Sequence, residues 1–580
     1  MSAGTLEKDI EKASVDLFRS LGWAWANVME EQFGPKSTLG RDDPSQVVLL
    51  RRLRPALQRL NPQATDAAIE QAMDELCRDR SSMSLVQANK EIHRHLVEGF
   101  APTLAASKDG EEHPRVRIVD WDHPENNDFF LAQQFTVQGP IYKRRADLIG
   151  FVNGLPLVFI ELKGLDKPVK NAFDENFTSY KSDIPQIFWA NALVILSNGF
   201  ESRIGSITSG FEHFKTWKRV EKENEAPRVS LEVMIRGVCE KHRLLDIVEN
   251  FTLYSDAQSA TNKIIGQNHQ YLGVNNALAA VEHYQLDRVQ ERRRLGVFWH
   301  TQGSGKSYSM VFLSQKILRK MPGNWTFVIV TDREDLDTQI YKTFVSCGVV
   351  PAAGTSKKTD VDVGVQARNA DHLKKLLKED RRYVFTLIQK FRPDEKGRPY
   401  PKVSDRDDII VIADEAHRSQ YDTFALNLRN ALPNAAFIGF TGTPLLAGEE
   451  KTREVFGDYV SIYNFRQAID DQATVPLWYE ARIPPLQLTN DQLSEQLNAL
   501  VEEADLDDEQ QKKVEREFAR EYHLITREER LNEIAKDIVE HFQTQPRGTK
   551  AMVVAIDKIT AVRMHDKVKR AWQTALEKLD

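Results

Sequence analysis

Cysteine is scarce in this chain, and that scarcity limits what kind of protein it is. The 580 residues include three cysteines, Cys77, Cys239 and Cys347, which lie far apart. This spacing excludes a disulfide framework and a cysteine-based zinc site, and it fits a reducing compartment. The first residues contain no apolar signal segment, and no apolar run approaches the roughly 20 residues that span a bilayer. We therefore expect a cytoplasmic protein that has no membrane association.

An excess of positive charge is also missing. The formal net charge is −7, with 41% hydrophobic and 28% charged residues, which is typical of a globular protein. Any surface that binds nucleic acid must therefore be a local patch on an acidic body. The length exceeds what one core can organise, and it predicts about three or four domains.

One short stretch predicts a phosphate-binding loop. An apolar run, Leu295 to Trp299, is followed by Gln-Gly-Ser-Gly-Lys-Ser at residues 302–307 and then by a helix-like sequence. Such a loop presents backbone N–H groups to a polyphosphate, with Lys306 for the β- and γ-phosphates and Ser307 for Mg²⁺. Alone the signal is modest, because a Gly-Lys-Ser/Thr triplet occurs by chance in roughly one of three chains this long. His300 stands where the usual pattern has its first glycine.

Later strands support the loop. Apolar strands predicted near residues 325–331, 384–387, 409–413 and 437–440 alternate with helical segments and end in polar residues. This order predicts a parallel, doubly wound sheet, which binds ligands at the carboxyl edge of its strands. Asp414 would then share Mg²⁺ with Ser307, and Glu415 would orient the hydrolytic water. Any one of these motifs could instead be a buried strand with a polar end.

The N-terminal third contains a second group of candidate residues. Two β-rich runs flank Asn153-Gly154, which is a strong hairpin signal. Glu161 and Lys163 lie two residues apart in the second run, so they share a face, and Asp147 lies in the first. Two carboxylates that hold Mg²⁺ beside a lysine are the arrangement of metal-dependent nucleases.

The register of this hairpin decides whether the cluster can form. A two-residue turn at Asn153-Gly154 would place Asp147 opposite Ile160, on the wrong face for joining Glu161. We therefore predict a one-residue bulge or a wider loop near Pro156, which has no N–H for the ladder. An unbroken hairpin would exclude the metal site.

The combined motifs resemble a known family. Four motifs of the chain resemble those of superfamily 2 helicases and translocases. They are residues 302–307, 331–337 (Thr-Asp-Arg-Glu-Asp-Leu-Asp), 414–417 (Asp-Glu-Ala-His) and 441–444 (Thr-Gly-Thr-Pro). Together with the Asp147…Glu161-Leu-Lys163 hairpin, they resemble the restriction (R, motor) subunit of type I restriction-modification enzymes. The resemblance implies ATP and Mg²⁺ as cofactors, and double-stranded DNA and the methyltransferase and specificity subunits as partners. The DNA would be pulled past the complex and cut away from the recognition site.

The same resemblance implies an α/β fold in three parts. Residues 1–255 would form a mixed-sheet nuclease domain of the PD-(D/E)xK type, with a helical segment at about 43–100. Residues 256–475 would form a RecA-like motor lobe with a parallel sheet. Residues 476–580 would be linker helices and the start of a second RecA-like lobe, opened by a buried strand at Ala551–Ala555 and a helix from about Thr560. We expect a fragment that ends inside this lobe and hydrolyses ATP poorly, because the arginine that completes the ATP site would lie further on.

Site residues carry over from the family by position. Gln270 matches the adenine-sensing glutamine, and Tyr180 matches the tyrosine of a Gln-x-x-x-Tyr element whose glutamine is replaced here by Asn176. Glu11 fits the N-terminal acidic position better than Glu7, whereas the residues alone, which share one helix face, favour a solvated acidic face. The remaining nucleotide-binding and coupling positions are Thr301, Gln302, Gly303, Ser304, Gly305, Lys306, Ser307, Asp414, Glu415, His417, Thr441 and Thr443.

Two other functions fit the same motifs. The first is a stand-alone helicase-nuclease of DNA repair, which would need no methyltransferase partner. The second is a translocase whose nuclease-like domain is inactive and only binds DNA. A substitution of Lys163 separates an active nuclease from an inactive one.

Overall fold

The computed structural model divides the chain into two compact units, Met1–Val475 and Pro476–Asp580. The residues that the structure describes are 3–103, 114–257, 260–287, 293–351, 365–391, 400–414, 421–443, 450–480, 482, 525–546 and 548–578. The finer division at residue 255 into three domains stays a prediction.

The first part of the larger unit is built on a six-stranded mixed sheet. Its strands lie side by side in chain order: β1 (Ala24–Asn27), β2 (Phe129–Gln138), β3 (Lys143–Val152), β4 (Leu155–Leu162), β5 (Leu193–Ser197) and β6 (Ser202–Gly205). The β1–β2 and β4–β5 pairs are parallel, and the other neighbours are antiparallel. The helices of this part are α1 (Ala3–Ser20), α2 (Leu50–Leu60), α3 (Asp66–Cys77), α4 (Leu85–Glu98), α5 (Val169–Asn171), α6 (Thr178–Asp183), α7 (Leu231–Val238) and α8 (Lys241–Asn250).

Local sequence explains these elements. In α1 the buried side chains Ile10, Val15 and Phe18 recur at helical spacing, and the chain leaves the helix at Gly22, whose φ is +77°. The strand β4 is buried over all eight residues because it lies between β3 and β5. The predicted N-terminal helix and the predicted hairpin are both confirmed.

The second part of the larger unit contains a parallel sheet. A two-stranded hairpin of β7 (Thr252–Ser255) and β8 (Asn262–Ile265) precedes it. The sheet has the spatial order β11–β10–β12–β13–β9–β14, from β9 (Arg294–His300), β10 (Thr326–Thr331), β11 (Tyr383–Leu387), β12 (Ile409–Asp414), β13 (Ala436–Thr441) and β14 (Tyr459–Tyr463). Every neighbouring pair is parallel, as the sequence predicts. The helices are α9 (Asn268–Asp287), α10 (Lys306–Lys320), α11 (Glu334–Ser346), α12 (Ala370–Lys378), α13 (Tyr421–Ala431), α14 (Glu450–Phe456) and α15 (Phe465–Asp470).

The two sheets share one hydrophobic core. A continuous cluster of buried side chains runs from Ile10 in α1, through the mixed sheet, to Phe440 in β13. A smaller cluster, which includes Val411 and Leu428, packs on the parallel sheet. The larger unit is therefore held together by buried apolar surface as well as by the chain connection.

The described residues of the smaller unit include two helices, α16 (Glu528–Gln543) and α17 (Lys558–Glu577). They pack on each other through Leu531, Ala535 and Met564. The helix predicted from about Thr560 is confirmed, whereas the buried strand predicted at Ala551–Ala555 is wrong. That segment is not a strand, and Met552 and Val554 are 86% and 80% exposed, because no described strand lies beside it to pair with. Most of the predicted polar helical stretch, residues 483–524, lies outside the described residues.

Candidate functional site

The hairpin of β3 and β4 carries an extra residue close to its turn. Gly150 pairs with Val158 and Phe151 with Pro156, so Leu157 is the additional residue of a β-bulge. The bulge predicted near Pro156 is thus confirmed. Beyond it Leu148 pairs with Ile160, and this register places Asp147 across from Glu161 on the same face.

The three predicted nuclease residues lie together at the end of this hairpin. The backbone N–H of Leu162 donates to Asp147 Oδ2 at 2.8 Å, and Lys163 Nζ lies 3.7 Å from Glu161 Oε1. Glu161 is 2% exposed, and its second oxygen, Oε2, has no hydrogen-bond partner among the described residues. A buried carboxylate oxygen without a donor is costly, unless a cation supplies the missing interaction.

The shifted pKa values of Asp147 and Glu161 also indicate a site for a cation. Burial raises the pKa of Asp147 to about 6, and the charges of Glu11 and Glu7 add to the rise, while the Leu162 N–H and Lys163 oppose it. Burial and the facing Asp147 raise the pKa of Glu161 well above its usual value, against the ammonium of Lys163. The cluster thus holds more negative charge than its lysine neutralises. Its oxygen ligands and excess charge fit a divalent cation such as Mg²⁺.

The sequence analysis did not predict a role for Gln134, whose side chain connects Glu11 of α1 to Asp147 of the hairpin. It lies across from Asp147 in β2 with a φ of +61°, and its Nε2 donates to Glu11 Oε1 at 2.7 Å and to Asp147 Oδ1 at 3.4 Å. Glu11, predicted from the family position, is 8% exposed and reaches the cluster through this amide. No motif marks a lone glutamine within a strand, so only the strand register could have found it.

Tyr180 faces the same cluster from α6. Its hydroxyl donates to the carbonyl of Arg145 at 3.1 Å, and Asn176 Nδ2 donates to that hydroxyl at 3.4 Å. Burial, followed by the charge of Glu161, raises the pKa of Tyr180 to about 12, so the phenol stays protonated at neutral pH. Asn176 lies in a π-helical turn, Ala172–Phe177, and its short amide contacts the tyrosine.

Outside this cluster, one group of three potential ligands among the described residues has the spacing of a metal site. Carboxylate and imidazole atoms of Glu75, Glu91 and His95 lie within 4.8 Å of one another. Arg80 pairs with both glutamates, at 2.7 and 3.3 Å, and Arg78 pairs with Glu91 at 2.6 Å. These arginines already neutralise the group, so it is an ion-pair network between α3 and α4.

The predicted phosphate loop joins β9 to α10. Gly303 and Gly305 both have a φ of +83°, a conformation that favours glycine, and α10 begins at Lys306. Gln270 Nε2 donates to the carbonyl of Gly305 at 3.0 Å, and Gln267 N–H donates to Gln270 Oε1 at 2.9 Å. Gln270, which matches the family's adenine-sensing glutamine by position, is therefore held against the loop by these hydrogen bonds.

His300 does not enter the loop. Its ring is buried, and Nε2 lies 2.7 Å from the hydroxyl of Ser461 in β14. Burial lowers the pKa of His300 well below its usual value, so the ring is neutral. Its backbone carbonyl accepts a hydrogen bond from Lys306 Nζ at 3.2 Å. A histidine can stand at position 300, where the usual pattern has a glycine, because its side chain points into the core.

Neighbouring strands bring further predicted residues to the same edge. Thr441 pairs with Trp299 across β13 and β9, and Asp414 pairs with Phe440 across β12 and β13. Thr441 Oγ1 accepts from the N–H of Thr443 at 3.2 Å. Glu415 and His417 lie outside the described residues.

The loop itself fits a polyphosphate. A Cβ at Gly442 would lie 3.2 Å from Lys306 Nζ and 3.5 Å from Gln302 N, so the backbone after β13 approaches the loop closely. Ser307 is partly buried in the first turn of α10. The hydroxyls of Thr301 and Ser304 are buried, with no hydrogen-bond partner among the described residues. A cleft of about 430 Å³ adjoins the loop and is lined by Gln270, Gly303, Gly305, Thr208 and Lys215, among other residues.

Comparison with known families decides the relationship. Residues 4–213 match the family model of the type I restriction enzyme R protein N terminus, and residues 269–512 match that of the SWI2/SNF2 ATPase. Over these regions the chain is similar to the R proteins of type I restriction enzymes and to SWI2/SNF2 ATPases. Both candidate sites thus lie within regions that the family models cover.

Two similar R-subunit relatives cover almost the whole chain. The HindI endonuclease subunit of a type I restriction enzyme from Haemophilus influenzae is 35% identical over 97% of this chain and 54% of its own length. The MjaIXP endonuclease subunit from Methanocaldococcus jannaschii, whose designation is itself provisional, is 30% identical over 97% of this chain and 55% of its length. The chain therefore spans about half the length of the curated relatives it matches.

Solved structures resemble this chain more distantly. A fragment of a provisionally assigned HsdR subunit from Vibrio vulnificus YJ016 covers 77% of this chain and 71% of its own, with 17% identity and a TM-score of 0.33. The SWI2/SNF2 ATPase core of Sulfolobus solfataricus covers 50% of this chain and 57% of its own, with 14% identity and a TM-score of 0.20. Separately, no helix among the described residues is long and apolar enough to span a membrane.

Proposed function

We propose that this protein is the ATP-driven motor and nuclease subunit of a type I restriction-modification enzyme. It would move double-stranded DNA past methyltransferase and specificity subunits and cut it away from the recognition site. The observation that carries the nuclease half is the buried Glu161 Oε2, which lacks a partner beside Asp147 and Lys163. The names of the relatives support the assembly with partner subunits.

The proposed fold follows from these assignments. Residues 1–255 form a PD-(D/E)xK-type nuclease domain, residues 256–475 a RecA-like motor lobe, and residues 476–580 linker helices and part of a second lobe. The mixed sheet with Asp147, Glu161 and Lys163 at one end supports the first assignment. The parallel sheet with a phosphate loop at its carboxyl edge supports the second.

In the nuclease, Asp147 and Glu161 would hold Mg²⁺. The bound metal would polarise the scissile phosphate and lower the pKa of an attacking water. Lys163 would orient that water and offset charge that develops on the phosphate. Gln134 would hold Asp147 and Glu11 in place, and Tyr180, which stays protonated, would hold the backbone of β3 beside the site through its hydrogen bond to the carbonyl of Arg145.

In the motor, the loop residues would bind the phosphates of ATP. Lys306 would contact the β- and γ-phosphates, and Ser307 and Asp414 would hold Mg²⁺. Gln270 would recognise the adenine, and Glu415 would orient the hydrolytic water. Thr441, Thr443 and His417 would couple the state of the nucleotide to the movement of DNA.

Substitution of Lys163 tests the nuclease half. In a subunit with the full length of the curated relatives, assembled with methyltransferase and specificity subunits, we expect Lys163→Ala to lower plasmid cleavage about a hundredfold or more, because one charge stabiliser is lost. ATP hydrolysis should stay unchanged, and the exposed Lys36→Ala serves as the control. Cleavage that persists in Lys163→Ala would show that the hairpin only binds DNA.

Substitution of Lys306 tests the motor half in the same assembly. We expect Lys306→Ala to abolish ATP hydrolysis and, with it, cleavage at a distance, because the phosphates lose their cation. Both are measured by phosphate release and by plasmid linearisation. Cleavage without ATP hydrolysis would overturn the coupling of the two halves, and full activity without methyltransferase or specificity subunits would indicate a stand-alone enzyme.

A further inference from the structure

The hairpin of β2 and β3 extends beyond the carboxylate cluster and carries exposed basic residues. Side chains alternate between the faces of a strand, so Lys143, Arg145 and Asp147 lie on one face of β3. Neighbours on that face are about 7 Å apart. Lys143 and Arg145, which we term the basic strip, therefore lead from the turn of the hairpin to Asp147.

Asp147 is the one acidic residue of the β2–β3 hairpin, and it belongs to the carboxylate cluster to which the basic strip leads. Lys143 and Arg145 are both exposed, and across the ladder they face Gln138 and Thr136. The carboxylate nearby, Asp183, pairs instead with Arg144 on the opposite face, at 2.6 Å. Among the described residues, no ion pair is formed by either member of the strip. This charge pattern suits an anionic ligand that runs along the strand.

The turn of the hairpin adds apolar surface to the same end. Ile141 is 80% exposed and Tyr142 is 52% exposed, and together they form the hairpin tip. The tip is well ordered: Gly139 N–H donates to the carbonyl of Tyr142 at 2.8 Å, and Gln186 Nε2 donates to the carbonyl of Gln138 at 2.8 Å. An ordered turn that exposes two large apolar side chains beside lysine and arginine suits the groove of a nucleic acid.

We propose that the basic strip binds backbone phosphates of the DNA strand that leads into the Asp147–Glu161 cluster, and that the hairpin tip lies in the adjoining groove. This inference rests on the proposed nuclease function, since the carboxylates define where the scissile phosphate lies. The ligand is duplex DNA of any sequence, because side chains that contact phosphates carry no sequence information. Lys143 and Arg145 are positioning residues for the strand.

Photocrosslinking from the hairpin tip tests this contact. A benzophenone amino acid replaces Ile141 in the whole chain, which is irradiated with a labelled duplex in metal-free buffer so that no cleavage occurs. We expect a crosslink that is about 50-fold weaker at 0.1 M salt in the Lys143→Ala, Arg145→Ala double variant, because each phosphate contact adds nearly one log unit of affinity there. The slope of log affinity against log salt should fall by about two.

Controls separate a local contact from general attraction. The exposed Arg228→Ala should leave the crosslink unchanged, the charge-conserving Lys143→Arg, Arg145→Lys variant should retain it, and the same photoreactive residue at Met83 should give none. Equal crosslinking by the double variant, or by position 83, would overturn the proposal. Failure of the nuclease assignment is distinguishable, because it would show as persistent cleavage by Lys163→Ala, whatever the crosslinks show.

Discussion

At the scale of single residues, the conformation of Gln134 is unusual enough to indicate a role. A φ of +61° costs a non-glycine residue on the order of 1 kcal/mol, and a strand residue rarely adopts it. The cost is offset by two hydrogen bonds that hold Glu11 and Asp147 near each other. The strained residue is thus the one that joins α1 to the hairpin.

Two substitutions of Gln134 separate strain from hydrogen bonding. Both Gln134→Gly and Gln134→Ala remove the amide, so we expect both to lower DNA cleavage by the assembled enzyme. Only glycine relieves the positive φ, and we expect it to be more stable than the alanine variant by about 0.5–1 kcal/mol in chemical unfolding. Unchanged cleavage in both variants would show that the amide does not position the carboxylates.

At the scale of elements, the loop between β9 and α10 offers a matched pair of glycines. Gly303 and Gly305 share a φ of +83°, so an alanine is equally strained at either position. Their surroundings differ: a Cβ at Gly303 would meet Thr474 Cγ2 at 3.6 Å, whereas one at Gly305 would lie 2.9 Å from Gln270 Nε2.

We therefore expect Gly305→Ala to weaken ATP binding more than Gly303→Ala. The backbone strain is similar in the two variants, but Gly305→Ala also displaces Gln270. We expect this variant to lose about a further tenfold in affinity for ATP, because one hydrogen bond is disrupted. Titration of each variant of this chain with a fluorescent ATP analogue measures the difference. Equal weakening would show that Gln270 plays no part in nucleotide binding.

Elements also show what sequence can and cannot predict. The bulge at Leu157 was predictable because an unbroken register from the Asn153-Gly154 turn cannot also place Asp147 and Glu161 on the same face. The parallel strands β9 to β13 were predictable because each is a buried apolar run that ends in polar residues, whereas β14 is only partly buried and was not predicted. Ala551–Ala555 has the same apolar character, yet it is exposed, since a strand also needs a partner that local sequence does not reveal. The role of Gln134 was not predictable for a similar reason, because its amide contacts Glu11 in a helix that is distant in sequence.

At the scale of the whole molecule, the two sheets of the larger unit are joined by polar contacts as well as by their shared core. Lys316 in α10 pairs with Asp246 in α8 at 2.6 Å, and the carboxylate of Glu223 accepts hydrogen bonds from Ser461 and from the N–H of Ile462 in β14. Ser461 also lies 2.7 Å from His300 Nε2, just before the phosphate loop. These hydrogen bonds connect the part that contains the mixed sheet to the residue that precedes the phosphate loop.

Lys263 in β8 lies where α4, the chain before β5 and the small hairpin meet. It is 3% exposed, and its ammonium donates to Asn89 Oδ1 at 3.0 Å and to the carbonyl of Asn191 at 2.6 Å, both of them neutral acceptors. Burial lowers the pKa of Lys263 to about 7. The same burial, together with the charge of Lys263, lowers the pKa of His93 to about 3, so that ring does not titrate above pH 7.

The direction of the resulting pH dependence is fixed by linkage. Between about pH 7 and 10.5 the unfolded chain keeps a proton on Lys263 that the folded protein releases, so stability should rise with pH across that window. Below pH 7 the folded protein carries the full penalty of a buried ammonium, on the order of several kcal/mol. Burying this lysine is thus a cost that the surrounding core must offset.

We expect Lys263→Met to raise the free energy of unfolding at pH 7 and to flatten its rise towards pH 10. The acceptors keep other donors, because Tyr254 Oη donates to Asn89 Oδ1 at 2.6 Å and Asn89 Nδ2 donates to the carbonyl of Asn191 at 2.8 Å. Methionine also fills most of the volume, so no large cavity adds its own cost. Urea unfolding at several pH values, with the exposed Lys36→Met as control, measures both effects. A variant that is less stable at pH 7, with the slope of the parent unchanged, would show that the buried ammonium stabilises this junction.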